Sequence, residues 1–259
     1  MCRALEEVAR HCFTTRPWAL GALAPDAGAP ASERWADVAR AVDVDIDRLV
    51  RARQVHGTAV LVAKQPPPAT PDADIIVSDN PDLALAVQAA DCVPLLVADR
   101  RTGAVAAAHA GWRGLSARVP GAVVAALGRE FGSQRKDLVA AIGPAIGACC
   151  YEVGADVLQR FVRSGFARDQ LERWFLERPA QWPRNPAFGP ARARRDEHWY
   201  FDGWASARDQ LQAAGVAADQ IFTAELCTAS HPEWLCSYRR DGSPAGRMAA
   251  AIRSPRRRP

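Results

Sequence analysis

No stretch of this chain approaches the roughly 20 consecutive apolar residues that cross a bilayer as a helix, so no membrane partner is expected. Acids stand at Glu6 and Glu7, where a secretory signal would carry its apolar core, and the expected location is cytoplasmic. Lysine is nearly missing: Lys64 and Lys136 are the only two, so the cations are almost all arginine, yet the net charge is only +4. Aromatics are missing from the basic end Arg253-Ser254-Pro255-Arg256-Arg257-Arg258-Pro259. That end is therefore expected to be a solvated, disordered tail over about 253–259, with no nucleic acid as partner. A disulfide framework is missing too. The seven cysteines form an odd set with one vicinal pair, Cys149-Cys150, and no regular spacing, which predicts reduced thiols.

Internal repeats and Gly/Ser linkers are also absent. A single domain spanning 1–259 is expected, with a mixed α/β (α+β) fold of β-sheet layers covered by helices. The apolar segments 59–63, 75–77, 83–87, 94–98, 104–108 and 138–142 are short, bounded by Pro, Asp, Asn or Gly, and partly β-branched. They predict strands, as do 221–224 and 248–252. Helices are predicted over 32–44 with Ser32 as N-cap, over 115–131 with Pro120 near the first turn, over 153–162, and from Asp202 through Leu211 to a stop at Gly215. The stretch 173–200, rich in proline and arginine, has no clean period and is expected to be irregular.

Three segments place metal-ligating residue types among small residues and tight turns: Gln54-Val55-His56-Gly57, Ala90-Asp91-Cys92-Val93-Pro94 and His109-Ala110-Gly111-Trp112-Arg113-Gly114. Each adjoins the end of a predicted strand, a rigid place from which side chains can converge. His56, Cys92 and His109 offer two imidazoles and a thiolate, a set that suits Zn²⁺, and three protein ligands leave a fourth position open for chemistry. The spacing matches no short zinc motif, so packed core residues remain the alternative for all three. A metal-independent cysteine hydrolase with Cys92 as nucleophile and a histidine as base is a second reading.

These segments, together with Phe13-Thr14-Thr15-Arg16, Ala141-Ile142-Gly143-Pro144, Tyr151-Glu152-Val153, Cys227-Thr228, Ser237-Tyr238-Arg239-Arg240-Asp241-Gly242 and Gly246-Arg247, resemble the multicopper polyphenol oxidase or laccase-domain family. That family is also called the peptidoglycan editing factor family and is described as purine nucleoside phosphorylases. The likeness runs in order over about residues 11–252. It implies a zinc site at His56, Cys92 and His109 that is also the catalytic centre. It further implies phosphorolysis of adenosine, inosine and methylthioadenosine, and deamination of adenosine, with purine nucleosides and phosphate as partners. A role in editing cell-wall precursors is implied by one of the names alone. The family's Asn-Leu-Gly segment is replaced here by Pro17-Trp18-Ala19-Leu20-Gly21-Ala22-Leu23.

Phosphorolysis requires a phosphate clamp, for which the planar guanidinium fork is suited. Arg16, Arg113 and Arg240 are the candidates, with Gln54 as a contact to the purine. Asp91 is a candidate to orient a ligand imidazole or to cap a turn. Five histidines in the whole chain cannot furnish a multicopper cluster, so copper is expected at most as a single ion on the same three ligands.

Overall fold

The computed structural model describes residues 2–18, 20, 31–186 and 195–255. The strands among them are β1 (Arg10–Phe13), β2 (Leu49–Val50), β3 (Val60–Val62), β4 (Ile75–Ser78), β5 (Ala84–Ala89), β6 (Val93–Asp99), β7 (Val105–Ala110), β8 (Leu138–Ile142), β9 (Glu152–Gly154), β10 (Phe175–Leu176), β11 (His198–Phe201), β12 (Ile221–Thr223) and β13 (Met248–Arg253). The helices are α1 (Arg3–Glu6), α2 (Ala31–Ala41), α3 (Trp112–Ser116), α4 (Val119–Phe131), α5 (Ala155–Arg163), α6 (Arg168–Trp174), α7 (Gly203–Ala213) and α8 (Tyr238–Asp241). A six-stranded sheet runs β12-β8-β6-β7-β4-β3, a four-stranded sheet β1-β13-β5-β2, and a small sheet β10-β11-β9.

The period-two geometry of a strand sends alternate residues of the central strands into two different cores. Ile75, Val77, Leu95, Val97, Ala106 and Ala108 pack under α4 and α7. Their neighbours Ile76, Leu96, Ala98, Val105 and Ala107 meet Leu85, Val87, Ala250 and Ile252 of the four-stranded sheet. Trp35, Val38 and Ala39 of α2 cover that sheet's other face. Four layers result: helix, sheet, sheet, helices. Strands buried on both faces read as continuous apolar runs rather than alternating ones, and each large aliphatic residue withdrawn from water contributes about 1.5–3 kcal/mol.

The mixed α/β class and the predicted strands are found as expected, but several boundaries differ. The helix expected over 115–131 is two helices. Pro120 has no N–H to donate to the Ser116 carbonyl and its ring would collide with it, so α3 stops at Ser116. Arg118 turns the chain in the left-handed region at φ 64°, and α4 starts with Pro120 in its first turn. Ser32 lies inside α2 rather than capping it. The helix at 153–162 begins only at Ala155, because Glu152–Gly154 pair with β11. Asp202 caps α7 as expected, accepting from the Ala205 N–H at 2.9 Å.

The stretch expected to be irregular contains β10 and β11, and α6 runs into its start. Its order comes from an aromatic cluster: the Phe161 ring lies 5.2–6.1 Å from those of Phe166, Trp174, Phe175 and Phe201. The basic tail begins later than expected. Arg253 belongs to β13 and is buried, donating to Pro81 O and to the Asp43 carboxylate, and Ser254 is buried beside it. The rest of the tail, 256–259, lies outside the described residues, as do Ala19, Gly21, Ala22 and Leu23 of the altered Asn-Leu-Gly region.

Candidate active site

The register of the sheets gathers the three ligand candidates. In the β6–β7 hairpin, Val93 pairs with Ala110 and Pro94 with His109, so Cys92, one residue before β6, stands beside His109. Ile75 of β4 pairs with Ala108, which brings Asp74 alongside His109. Parallel pairing of β3 with β4 delivers the chain before β3, with His56 and Gly57, to the same end. The four-stranded sheet ends there as well, since Met248 pairs with Ala89 and the chain crosses from β5 to β6 through Ala90-Asp91-Cys92. Asp91 makes this crossover in the left-handed region, at φ 86°.

The ligand atoms of His56, Cys92 and His109 all lie within 4.8 Å of one another, with Cys92 Sγ 3.9 Å from His56 Nε2. Atoms 2.0–2.3 Å from a shared tetrahedral ion stand roughly 3.5 Å apart, so small adjustments close this triangle on a metal. The donor set and its spacing therefore fit a metal ion. His109 is buried, Cys92 half-buried and His56 exposed, which leaves one side of the triangle facing the cleft.

Asp74, a residue the sequence reading did not single out, organises this corner. It is fully buried and accepts from the N–H groups of Val55, His56 and Gly57 at 2.7–3.1 Å. His109 Nδ1 lies 2.8 Å from the same carboxylate. The three backbone bonds hold His56 in the left-handed region, at φ 60°, a conformation that costs energy outside glycine and persists only where the surroundings enforce it. The bond to Nδ1 turns Nε2 of His109 toward Cys92, as a partner behind a metal-binding imidazole does. Gly111 is the other hidden requirement: a Cβ there would stand 2.8 Å from Cys92 Sγ and 3.1 Å from the His56 ring.

The charges are arranged to match. Burial would push the Cys92 thiol up, but hydrogen bonds and charge from His109 and His56 outweigh it and hold it at about 6. Burial would push His109 down, but Asp74 and the Cys92 sulfur raise it to about 9. Burial likewise disfavours the charged Asp74 carboxylate, yet the His109 and backbone hydrogen bonds keep it below the usual carboxylate range.

The triangle sits at the base of a cleft of about 600 Å³ whose walls include Gln54, Trp112, Arg113, Tyr151, Tyr238, Arg239 and Arg247. The small β-sheet carries Tyr151 to the rim, where its ring lies 6.0 Å from that of Phe201. Each of three arginines lies over an aromatic ring: Arg113 over Trp112 at 4.2 Å, Arg239 over Tyr151 at 4.9 Å and Arg247 over Tyr238 at 5.7 Å. Gln54 lines the cleft while its amide pairs at both ends with the Gln88 backbone, at 2.8 and 2.7 Å.

Two of the predicted arginines are elsewhere. All five N–H groups of Arg240 are spent on Asp241 and on the carbonyls of Thr228, Ala229 and Leu235, and its side chain is 6% exposed. Arg16 donates to Pro232 O and pairs with Asp241 at 3.7 Å. Neither lines the cleft. Asp91 does not reach an imidazole; it accepts from Thr228 Oγ1 and the Arg239 N–H, fixing the turn that starts α8. His11, His198 and His231 are engaged by Cys2 N and Ala9 O, by Asp196 O and by Asn185 Oδ1, far in sequence and partners from the triangle. Among the described residues, His56 and His109 are the histidines that share a ligand cluster.

Comparisons with known proteins give the family. A purine nucleoside phosphorylase of Bacteroides thetaiotaomicron is 34% identical over 179 residues, 69% of this chain but only 60% of that protein. One of Deinococcus radiodurans is 33% identical over 99% of this chain and 94% of its own length. Adenosine deaminase RL5, from an unknown prokaryotic organism, is 32% identical over 83% of this chain and 78% of its own. The crystal structure of the Bacillus licheniformis hypothetical protein YfiH superposes with a TM-score of 0.78 at 26% identity, covering 95% of this chain and 91% of that one. Residues 16–254, which hold the whole triangle and every cleft-lining residue, match the family described as multi-copper polyphenol oxidoreductase laccase, and the chain belongs to that family.

Proposed function

We propose that this chain, acting as one domain, is a zinc-dependent purine nucleoside phosphorylase of broad specificity, active on adenosine, inosine and methylthioadenosine, that also deaminates adenosine. The observation that carries the reading is a triangle of two imidazoles and a thiol at the base of a cleft flanked by three arginines stacked on aromatic rings. The cleft volume falls within the roughly 300–1,000 Å³ of small-molecule sites, and the relatives named phosphorylase and deaminase supply the substrate class.

In this reading His56, Cys92 and His109 hold zinc, and Asp74 keeps the His109 tautomer that points Nε2 at the ion. When bound, zinc supplies a Lewis acid that polarises a substrate atom or acidifies water. Arg113 keeps its expected place in the phosphate clamp, and Arg239 and Arg247 take the places of Arg16 and Arg240. Arg113 and Arg239 are exposed and Arg247 is half-buried; phosphate held at Arg113 attacks C1′ as the bond to the purine breaks. Trp112, Tyr151 and Tyr238 provide faces for the purine. Gln54 keeps one amide hydrogen and one lone pair for the nucleoside beyond its bonds to Gln88.

A second reading is favoured by one observation. Cys92, His109 and Asp74 form a hydrogen-bonded relay in which the thiol is already lowered to about 6, and such a relay also activates a cysteine nucleophile without metal. Product analysis separates the two. Zinc-quantified protein should convert adenosine to adenine and ribose 1-phosphate only when phosphate is present, and to inosine with or without it. Chelation should abolish both reactions, and Arg113→Ala should depress adenine formation far more than inosine formation. Full activity in metal-free protein would establish the cysteine nucleophile instead.

A further inference from the structure

A second cluster of ligand atoms lies outside the cleft. The sulfurs of Cys149, Cys150 and Cys227 all fall within 4.8 Å of one another, and no disulfide joins any of the seven cysteines. Cys149 and Cys227 are buried and Cys150 is half-buried. The fold assembles them from two segments. The turn after β8 runs from Gly147 to Tyr151, with the N–H groups of Cys150 and Tyr151 both donating to Gly147 O. The segment after β12 is tied to it by the bridge between Ala145 and Cys227 and by the Thr228 N–H donating to Ala145 O. The Gly147 N–H points at Cys227 Sγ from 3.3 Å, and Ser230 Oγ lies 3.7 Å from Cys149 Sγ and 3.4 Å from Cys150 Sγ. Of these contacts the Gly147 N–H is a fixed donor to sulfur, whereas the neighbouring Cys150 and Cys227 and burial push the Cys149 thiol well up, so a bound cation must displace its proton.

We infer that Cys149, Cys150 and Cys227 form a binding site for a soft monovalent cation, Cu(I), separate from the His56–Cys92–His109 corner. Among the described residues the cluster contains sulfur ligands only, with neither imidazole nor carboxylate. An all-thiolate set selects soft metals. A structural zinc would require a fourth protein ligand, which this cluster lacks, whereas Cu(I) is content with three. Three sulfurs about 2.3 Å from one ion stand roughly 4 Å apart, within the observed spread. Each coordinated thiol gives its proton to solvent, so binding weakens as pH falls. The site also has a place in the architecture. Cys150 precedes Tyr151 on the cleft rim, and Cys227 precedes Thr228, whose hydroxyl donates to Asp91 beside Cys92. A bound ion would staple the two segments that support that wall.

The test is an anaerobic titration of reduced protein with Cu(I) against a chromophoric Cu(I) chelator. Wild type, Cys92→Ala, Cys150→Ser and Cys149→Ser/Cys150→Ser are compared, with melting curves as the folding control. Cys92→Ala should retain one tightly held Cu(I) and no zinc, and X-ray absorption at the copper edge should show three sulfurs and no imidazole. Cys150→Ser, which alters the half-buried member, should melt like wild type. The double variant should bind Cu(I) weaker by about a hundredfold or more. Should Cys92→Ala not fold, the same absorption spectrum is recorded on zinc-loaded wild type, whose other corner is filled. Imidazole in the copper shell, zinc retained in Cys92→Ala, or Cu(I) affinity unchanged in the double variant would each overturn the assignment.

Discussion

The two walls of the cleft are built on opposite plans. The ligand corner hangs from strand ends and is tied by one buried carboxylate to three backbone N–H groups and an imidazole. The arginine wall is assembled from loops and short helices, and its guanidinium groups rest on aromatic faces. A metal demands ligand atoms placed to a few tenths of an ångström, which only a rigid frame supplies. An anion clamp tolerates movement, because charge acts over a distance and guanidinium forks can reorient. Each wall is therefore fragile at a different point.

The largest effect is expected where the rigid plan depends on a single group. Asp74→Asn keeps the size of the side chain but removes the charge and part of the acceptor capacity that fixes His56 and His109. Metal affinity should fall by roughly 10–100-fold, the cost of losing a partner behind a metal ligand, as read by competition with a chromophoric chelator. An unchanged affinity would mean the corner does not depend on its anchor. Gly111→Ala tests the same plan from the other side. Its new methyl would crowd Cys92 Sγ at 2.8 Å, so zinc content should drop while α3, which starts after it, keeps its far-UV signature. Wild-type zinc content in that variant would show that the corner can give way.

How much of this was legible depended on the same distinction. His56, Cys92 and His109 could be singled out because each stands in a turn beside a predicted strand end, but spacing alone left packed core residues as the alternative, and the ordered family motifs tipped the choice. Asp74 was hidden because Asp72 stands two residues away on the same stretch, and only the fold shows that Asp72 pairs with Arg53 at the surface. Arginines are so numerous that type alone says little. Arg239 and Arg240 are adjacent, and the step of about 100° between successive residues of α8 sends the first to the cleft and the second into the interior. Strands β4 to β8 and β13 were readable from their double burial. Helix α6 and the short strands β10 and β11 were not, since their order comes from aromatic contacts distant in sequence.

That adjacent pair offers a smaller but cleaner contrast. Arg240→Ala removes a buried guanidinium and leaves Asp241 and three carbonyls short of donors, which should cost roughly 3 kcal/mol of stability with little change in KM for phosphate. Arg239→Ala should do the reverse, raising KM for phosphate by about tenfold, or ~1.4 kcal/mol, with a nearly unchanged melting temperature. Thermal melts and phosphate titrations on both variants check this. Equal effects on both readouts would erase the division between interior and cleft.

The finest discriminator between the two walls is a proton count. Between pH 6 and 9 the metal-free corner holds Cys92 as thiolate, since its thiol is lowered to about 6, and His109 as imidazolium, since it is raised to about 9. A metal takes thiolate and neutral imidazole. Within this window, binding must therefore expel the proton on His109 Nε2, while Nδ1 keeps its own toward Asp74. The sign follows directly: raising the pH removes the competing proton, so this pair makes affinity climb about tenfold per pH unit from 6 to 9 and level off above it. Below 6 the slope steepens, because Cys92 is then protonated as well. Calorimetry of zinc binding at pH 7.5, in buffers of different ionisation enthalpy, should report about one proton released from this pair. Asp74→Asn should release less, because the carboxylate that helps raise His109 is gone. Phosphate binding should show no such step from its clamp, since guanidinium groups do not titrate in this range. If zinc binding released no proton at pH 7.5, the thiolate–imidazolium pair would not exist in the metal-free protein, and the rigid corner would be no better prepared for its ligand than the arginine wall.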